Sequence, residues 1–219
     1  MKIKIVIFNY NTTIMTNNLI KSIIDKIKKI DYKIIIFDNG PVNNKFELDN
    51  GIKDCDLEIL DNSNNKIIDF NLYYDKYVIK PRCNNACYMH SLSMQYFLDL
   101  DESEYIFMHS DTIVKNDFNF IDNRYAVMGQ INTGFLKPFN NKFIYRYPYI
   151  NSSLLYINNK MLNNRARIFD PLRLMQNMDP FISYDTCCSF LEDIIKNHIE
   201  FKFIAVNYFI EHFTLQKKY

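Results

Sequence analysis

Two apolar runs near the start of the chain each give way to polar residues. Residues 2–11 read KIKIVIFNYN and residues 32–40 read YKIIIFDNG, so a run rich in β-branched residues ends in asparagine, aspartate or glycine. Short apolar runs of this kind predict buried strands. Between them, isoleucine and leucine recur at helical spacing, with lysines on the opposite face: Leu19, Ile20, Ile23, Ile24, Ile27 and Ile30. The pattern therefore predicts a β-α-β unit.

A third apolar run, YIFMHSDTIV at residues 105–114, ends abruptly in histidine, serine and aspartate. The helical pattern ACYMHSLSMQYFLDL precedes it. Residues 43–75 are rich in asparagine and aspartate, and we predict loops there with one short strand at DLEIL. Further strands are predicted at YAVMGQI, KFIYRYPY, SSLLYI and EFKFIAV.

The last predicted helix runs from Tyr184 towards the strand EFKFIAV. Its apolar positions share one helical face, and its polar positions share the other. The apolar face comprises Cys187, Phe190, Leu191, Ile194 and Ile195, and the polar face comprises Glu192, Asp193, Lys196 and Asn197.

Near-continuous apolar strands joined by helices are typical of a parallel sheet that is covered on both faces. Ligands bind to such sheets beyond the C-terminal ends of the strands. Three predicted strand ends, at residues 8–11, 37–40 and 109–111, carry polar side chains. We therefore predict an α/β fold with a mostly parallel sheet and a ligand site at this edge.

Composition and charge narrow the classes of partner. The 219 residues contain no repeat or linker, which predicts a single domain. The 26 Lys and Arg nearly balance the 25 Asp and Glu, so the net charge gives no electrostatic reason to expect nucleic acid as a partner.

No window approaches the roughly 20 apolar residues of a membrane span, and the N-terminal run is too short for a signal peptide. The five cysteines lack the spacing of a zinc ribbon or a disulfide framework. We expect a cytoplasmic protein with no membrane span.

The sequence lacks the common phosphate-binding loops. Only four glycines are present, and no stretch matches a P-loop or a dinucleotide fingerprint. A phosphorylated ligand at this sheet edge therefore needs another neutralising group, and a divalent metal would serve. Asp111 can supply a ligand oxygen, and His109, on the same side of an extended chain, can bind the metal or a sugar hydroxyl.

The order KIVIFNYNT, helix, YKIIIFDNG, helix and YIFMHSDTIV resembles the nucleotide-sugar half of family 2 glycosyltransferases, which have the GT-A fold. In that family the first strand ends in a similar Tyr-Asn pair, the second in Asp-Asn-Gly or Asp-Gly-Ser, and the later strand in an Asp-x-Asp metal motif. The resemblance covers residues 2–40 and 76–115, and the remainder more loosely. The departure is His109, where the family usually has the first Asp of its motif.

The resemblance implies a role for each strand end. Asn9 and Asn11 would lie beside the nucleoside, Asp38 would hydrogen-bond the base or ribose, and Asn39 would support the turn on the donor side. These roles compete with a simpler interpretation of Asp38, Asn39 and Gly40 as a tight turn.

The same resemblance implies a metal and further donor contacts. Asp111 would bind the Mn²⁺ or Mg²⁺ that bridges the donor diphosphate, and His212, which follows a predicted apolar strand near the C-terminus, would complete the metal site. His109 and Ser110 would contribute to donor binding. Arg82, just before the helix that leads to the third strand, would contact the nucleotide.

Asp185 matches the catalytic carboxylate of the family better than Glu192 does. It would act as the general base that removes a proton from the acceptor hydroxyl. An aspartate before a helical run is also a common N-cap, and the two roles are compatible.

The implied function is that of an inverting glycosyltransferase, with a nucleoside diphosphate sugar as donor and a glycan or other hydroxyl-bearing acceptor. The implied architecture is a single GT-A type, Rossmann-like domain, with the donor part at residues 1–115 and the acceptor side at residues 116–219. Two alternatives stay open: a catalytically degenerate protein that binds nucleotide sugar or glycan, and a nucleotidyltransferase on a related sheet. The second is disfavoured because NYNTTIMTNN contains neither glycine nor lysine.

Overall fold

A computed structural model describes most of the chain. The described residues are 2–53, 55–70, 85–139, 142–168, 182–183 and 187–213. Within these ranges, no helix combines the length and the apolar character that crossing a membrane requires.

Strands and helices alternate through the first half of the described chain, and short strands dominate the second. The strands are β1 Ile3–Asn9, β2 Tyr32–Asp38, β3 Leu57–Asp61, β4 Glu104–His109, β5 Thr112–Val114, β6 Val127–Gly129, β7 Ile131–Asn132, β8 Phe135–Phe139, β9 Lys142–Arg146, β10 Tyr149–Ile150, β11 Leu154–Asn158, β12 Ile182–Ser183, β13 Phe201–Phe203 and β14 Ile210–His212. The helices are α1 Thr13–Lys26, α2 Asn85–Leu100, α3 Asn159–Leu162, α4 Cys188–Lys196 and α5 Val206–Phe209.

A seven-stranded sheet forms the centre of the fold, in the order β13-β6-β11-β4-β1-β2-β3. Strand β11 runs antiparallel to both of its neighbours, and all the other pairs in this sheet are parallel. The predicted fold class, a mostly parallel sheet flanked by helices, is confirmed. Strands β1 to β4 come from the first 115 residues, whereas β6, β11 and β13 come from the rest of the chain.

The two faces of the sheet carry separate apolar clusters because successive strand residues point to opposite sides. Ile5 and Ile7 of β1 pack in the same cluster as Leu19 and Ile23 of α1. Phe8, on the other face, belongs to the cluster that includes Leu92 and Phe97 of α2. Helices α1 and α2 therefore cover opposite faces, which explains why β1, β2 and β4 contain so few polar residues.

Register brings the predicted strand ends together. Asn9 pairs with Asp38 across β1 and β2, and Phe8 pairs with His109 across β1 and β4. These three strands are parallel, so their C-terminal ends meet at one edge of the sheet. The prediction that residues 8–11, 37–40 and 109–111 share an edge is confirmed.

Three local expectations differ from the structure. Ile195 is 66% exposed and Asp193 is 5% exposed, so the two exchange their predicted faces of α4; the Asp193 carboxylate accepts a hydrogen bond from the Arg167 main-chain N–H at 3.0 Å, which compensates its burial. The run YIFMHSDTIV is interrupted by a turn at residues 110–111. The apolar segment before His212 includes a helical turn, α5, before β14 begins.

Candidate active site

Asn9, at the end of β1, organises the first part of the edge. Its amide nitrogen donates to Asp38 Oδ1 at 2.8 Å. Its amide oxygen lies within hydrogen-bonding distance of two hydroxyls, those of Thr12 at 2.9 Å and Thr16 at 2.8 Å. Because Asn9 is fully buried, these partners compensate the cost of removing its amide from water. The side chain therefore ties β1 to β2 and to the start of α1.

Asp38, at the end of β2, holds the loop that follows it. The carboxylate is 2% exposed. Besides the Asn9 contact, it accepts from the main-chain N–H groups of Gly40 at 3.1 Å and Phe46 at 2.8 Å. Both carboxylate oxygens thus have protein partners, and the predicted contact of Asp38 with a base or ribose stays a prediction.

Asn39 links the same loop to β3. Its main-chain N–H donates to the Asn9 carbonyl at 2.9 Å, and its side-chain oxygen accepts from Asn62 Nδ2 at 2.8 Å. Side chains from three strand ends therefore hold residues 38–40. The tight turn that the sequence suggested there is not formed, since neither Asn39 nor Gly40 has a positive φ and the chain continues into a short 3-10 helix at Val42–Asn44.

Asn11 lines a groove beside this loop. Its φ of 55° is in the left-handed region, which asparagine tolerates better than most residues. Its side-chain oxygen accepts from Asn44 Nδ2 at 2.8 Å. The groove has a volume of about 500 Å³ and is lined by Asn11, Thr12, Thr13, Ile14, Met15 and Asn44.

The chain turns immediately after β4. The Thr112 hydroxyl donates to the His109 carbonyl at 2.7 Å, which closes a turn through Ser110 and Asp111. The Ser110 hydroxyl lies 2.8 Å from that of Thr12, so the turn is attached to the start of α1. The prediction of an extended chain from His109 to Asp111 is therefore wrong, and the turn brings His109 Nδ1 to 3.9 Å from Asp111 Oδ1.

His212 reaches the same turn from the C-terminal region. Strand β14 pairs antiparallel with β5, which places His212 opposite Thr112. The Phe213 main-chain N–H donates to the Asp111 carbonyl at 2.8 Å. As a result, His212 Nε2 lies 3.2 Å from Asp111 Oδ1.

His109, Asp111 and His212 form a set that suits a divalent metal. One ligand atom from each of the three lies within 4.8 Å of the others. Their side chains are 26–35% exposed, so an ion can reach them from solvent. Two imidazoles and a carboxylate are ligand types that divalent transition metals use in proteins. The residues present therefore fit the divalent metal that the sequence resemblance implies.

The charges within this set are coupled. Burial on its own would raise the pKa of Asp111, but the hydrogen bond with His212 and the nearby charges of His212 and His109 outweigh burial and lower it. The same hydrogen bond raises the pKa of His212. Burial lowers the pKa of His109 to about 4, although the charge of Asp111 opposes the shift. The site therefore presents an ionised carboxylate beside a neutral His109 near pH 7.

His90 and Ser152 also belong to the site, and sequence reasoning did not find them. His90 Nε2 lies 3.1 Å from His109 Nε2, and Ser152 Oγ lies 2.9 Å from the same atom. The His90 ring packs edge-on against Phe8, with 4.6 Å between ring centroids. Burial lowers the pKa of His90 well below its ordinary value. The strand pattern carries no signal for these contacts, because they depend on how α2 and the segment before β11 pack at the end of β4.

Arg82 and Asp185 lie outside the described residues. Their roles in nucleotide contact and in general-base catalysis stay predictions. Among the predicted site residues that are described, Asn9 contacts Asp38, and Ser110 and Asp111 form one turn beside His109 and His212.

Comparison with known proteins identifies the fold. No family model matches the sequence, and no curated protein matches it. Solved glycosyltransferase structures do match. The galactosyltransferase LgtC, solved with donor and acceptor sugar analogues, is 12% identical with a TM-score of 0.53, and the match covers 94% of this chain and 77% of LgtC.

Two other solved structures give similar results. Mouse xyloside xylosyltransferase 1 is 9% identical with a TM-score of 0.54, and the match covers 93% of this chain and 85% of that one. The bifunctional glycosyltransferase WbbM is 14% identical with a TM-score of 0.52; the match covers 94% of this chain, which spans 39% of the WbbM chain. The protein thus has the GT-A glycosyltransferase fold. These likenesses do not single out family 2.

Proposed function

We propose that the protein is a glycosyltransferase that moves a sugar from a nucleoside diphosphate sugar to an acceptor hydroxyl, with a divalent metal at the diphosphate. The observation that carries the proposal is the position of His109, Asp111 and His212, which meet beside the ends of β1 and β2 in a GT-A fold. Fold alone does not specify function, whereas a ligand set at the expected edge of the sheet supports one.

The donor nucleoside would occupy the groove at the end of β1. Asn11 and Asn44 offer side-chain amides at its wall. Tyr10, which is 59% exposed, offers an aromatic face near the same strand end. Asp38 and Asn39 would act here by fixing the shape of the loop, and Asp38 would also contact the base or ribose if the loop shifts on binding.

The diphosphate would lie over the turn at Asp111. A divalent ion held by His109, Asp111 and His212 would neutralise the negative charge that develops on the leaving diphosphate. Ser110 and Thr12 would keep the turn in place, since their hydroxyls lie 2.8 Å apart. Removing this support would loosen the ligand set without removing a ligand.

We further propose a family 2-like enzyme that inverts the anomeric centre, on the basis of the order of motifs in the first 115 residues and of Asp185. In this scheme residues 116–219 supply the acceptor side, and Asp185 removes the proton of the acceptor hydroxyl. NMR of the product would give its anomeric configuration; retention of the donor's configuration would contradict inversion. Asp185→Asn should abolish transfer, whereas Glu192→Gln, on the helix that follows, should not.

A screen of nucleotide sugars tests the proposal as a whole. Thermal unfolding is measured with UDP-, GDP-, CMP- and dTDP-sugars, each with and without Mn²⁺, because a ligand that binds only the folded state raises its stability. The expected result is a metal-dependent shift with one nucleotide class, followed by slow hydrolysis of that donor without acceptor. A donor that binds and is never cleaved or transferred would favour the non-catalytic alternative. Pyrophosphate release from a nucleoside triphosphate and a sugar phosphate would favour the nucleotidyltransferase.

A further inference from the structure

The two ring nitrogens of His109 have different surroundings. Nε2 lies 3.1 Å from His90 Nε2 and 2.9 Å from Ser152 Oγ. Nδ1 lies on the side of Asp111, 3.9 Å from its Oδ1. The half-buried ring is therefore held by one nitrogen and presents the other to the carboxylate that His212 also contacts.

This arrangement determines which tautomer can bind a metal. A neutral imidazole that gives its Nδ1 lone pair to a metal carries its proton on Nε2. That N–H needs an acceptor, and both the Nε2 lone pair of His90 and the hydroxyl of Ser152 are in range. Metal-binding histidines in general donate their second N–H to such a partner, which fixes the ring and strengthens the ligand.

The partners come from separate parts of the fold. His90 is on α2 and is packed against Phe8, and Ser152 precedes β11, where Leu154 pairs with Met108 of β4. Three of the four histidines of the chain thus gather at one strand end. The fourth, His198, is exposed and precedes β13, so it lies at the N-terminal ends of the parallel strands, away from the site.

The geometry points to a specific division of roles. We propose that His90 and Ser152 are positioning residues that orient His109 as an Nδ1 metal ligand, and that the resulting set of two imidazoles and one carboxylate selects an imidazole-preferring ion of the Zn²⁺ and Co²⁺ class over Mg²⁺. Imidazole nitrogen suits such ions, whereas Mg²⁺ prefers oxygen ligands. This inference rests on the metal site of the proposed function and replaces the Mn²⁺ or Mg²⁺ expected from the sequence with an ion that prefers imidazole ligands.

Calorimetric titration of the metal-free protein with Mg²⁺, Co²⁺ and Zn²⁺ tests the selectivity. Co²⁺ binds more tightly than Mg²⁺ at most protein sites, so the diagnostic quantity is the change in the Mg²⁺-to-Co²⁺ ratio of dissociation constants on His109→Asp. We expect this variant to reduce the ratio by at least about tenfold, because a carboxylate oxygen replaces an imidazole nitrogen. His198→Gln, which removes the distant histidine, should leave the ratio unchanged.

The positioning role has its own variants. Replacing both acceptors, His90→Phe with Ser152→Ala, should weaken Co²⁺ binding by about 10- to 100-fold. Replacing His90→Phe with His90→Gln in this double variant retains an acceptor oxygen, so it should restore most of the affinity for Co²⁺. Thermal unfolding of the metal-free variants checks that they are folded. If the double variant is not folded, the Co²⁺ affinity of Ser152→Ala alone and the change in the ratio of dissociation constants on His109→Asp still test the inference.

Two-bond ¹H–¹⁵N spectra give a readout that is independent of activity. We expect metal-free His109 to be protonated on Nε2, and Zn²⁺ to shift its Nδ1 resonance. Zn²⁺ binding through Nε2 would overturn the inference, and so would a Mg²⁺-to-Co²⁺ ratio of dissociation constants that His109→Asp does not change. Neither result would contradict donor binding or sugar transfer. If none of the ions binds, both the inference and the metal role in the proposed function are wrong. If the ion selectivity is as expected but no nucleotide sugar binds, only the proposed function is contradicted.

Discussion

His212 Nε2 lies 3.2 Å from Asp111 Oδ1, although the two residues are 101 positions apart in the chain. The contact exists because β14 returns to pair with β5, one residue beyond the turn that carries Asp111. The segment between them supplies β6, β11 and β13 of the central sheet. The ligand set is therefore complete only when the second half of the fold has formed on the first.

Asp111→Asn should abolish most activity without unfolding the protein. A metal ligand at the leaving group contributes several kcal/mol to transition-state stabilisation, so donor hydrolysis should fall by at least about a hundredfold. The free energy of unfolding without metal should change by less than about 1 kcal/mol, because the side chain is partly exposed and loses a single ion pair. Asp31→Asn is the control for charge removal, because Asp31 lies just before β2, at the end of the strand far from the site. Unchanged hydrolysis in the Asp111 variant would exclude its role.

Asp38→Asn should destabilise the fold. The buried carboxylate accepts from Asn9, Gly40 and Phe46, and an amide nitrogen in place of one oxygen would face a donor. Leaving a buried donor unsatisfied costs about 1–3 kcal/mol, measurable by urea unfolding. Asp61→Asn is a matched change, since Asp61 pairs with Asp38 in register but is bound by half-exposed lysines and should cost less than about 1 kcal/mol. Equal losses in the two variants would contradict this account.

Gly40→Ala should also be destabilising, and Gly51→Ala should not. An added Cβ at Gly40 would lie 2.9 Å from the main-chain oxygen of Asn44 and 3.1 Å from Asp38 Oδ1, and both atoms are fixed by the loop. Overpacking of this kind costs about 1–3 kcal/mol. At Gly51 the nearest atom is the side-chain oxygen of Asp49 at 3.2 Å, which can move. There the reduced freedom of the unfolded chain should make the change neutral or stabilising by up to about 1 kcal/mol.

Asp101 should make stability depend on pH in the acid range. Burial opposes ionisation, but hydrogen bonds from Lys4, Ser103 and Tyr105 outweigh it and lower the pKa of Asp101. A carboxyl whose pKa is lower in the folded state stabilises the fold above the unfolded-state pKa of about 3.9, and that contribution is lost as the pH falls towards the folded-state value. The urea midpoint of the wild type should therefore decrease between pH 5 and pH 3.

The Asp101→Asn variant isolates this contribution. It should be less stable than the wild type at pH 7, and its urea midpoint should decrease less between pH 5 and pH 3. Asp25→Asn, which removes an exposed carboxylate paired with its neighbour Lys26, should retain the wild-type dependence. A pH dependence in Asp101→Asn equal to that of the wild type would assign the acid sensitivity to other carboxylates.

Much of the first half of the molecule follows from local pattern. The apolar runs that became β1, β2 and β4, and the helical spacing of α1, depend on neighbours a few positions apart, so their signal is present in the chain itself. The polar residues that end these strands, Asn9 and Asp38 among them, are also visible in the local pattern. They therefore predicted a site at the C-terminal ends of the strands. The antiparallel direction of β11 was not predictable, because a fully buried strand has the same apolar pattern in either direction.

The sequence by itself determined the class of fold, the edge of the sheet that carries the polar strand ends, and Asp111 with His212 as candidate ligands by resemblance. Only the tertiary structure decided that the chain turns at Ser110, that β14 brings His212 to Asp111, and that His90 and Ser152 hold the far nitrogen of His109. The physical reason is the distance along the chain over which each kind of interaction acts. Periodicity records which face of an element is buried, whereas a contact between distant side chains depends on strand register and on the path of the whole chain.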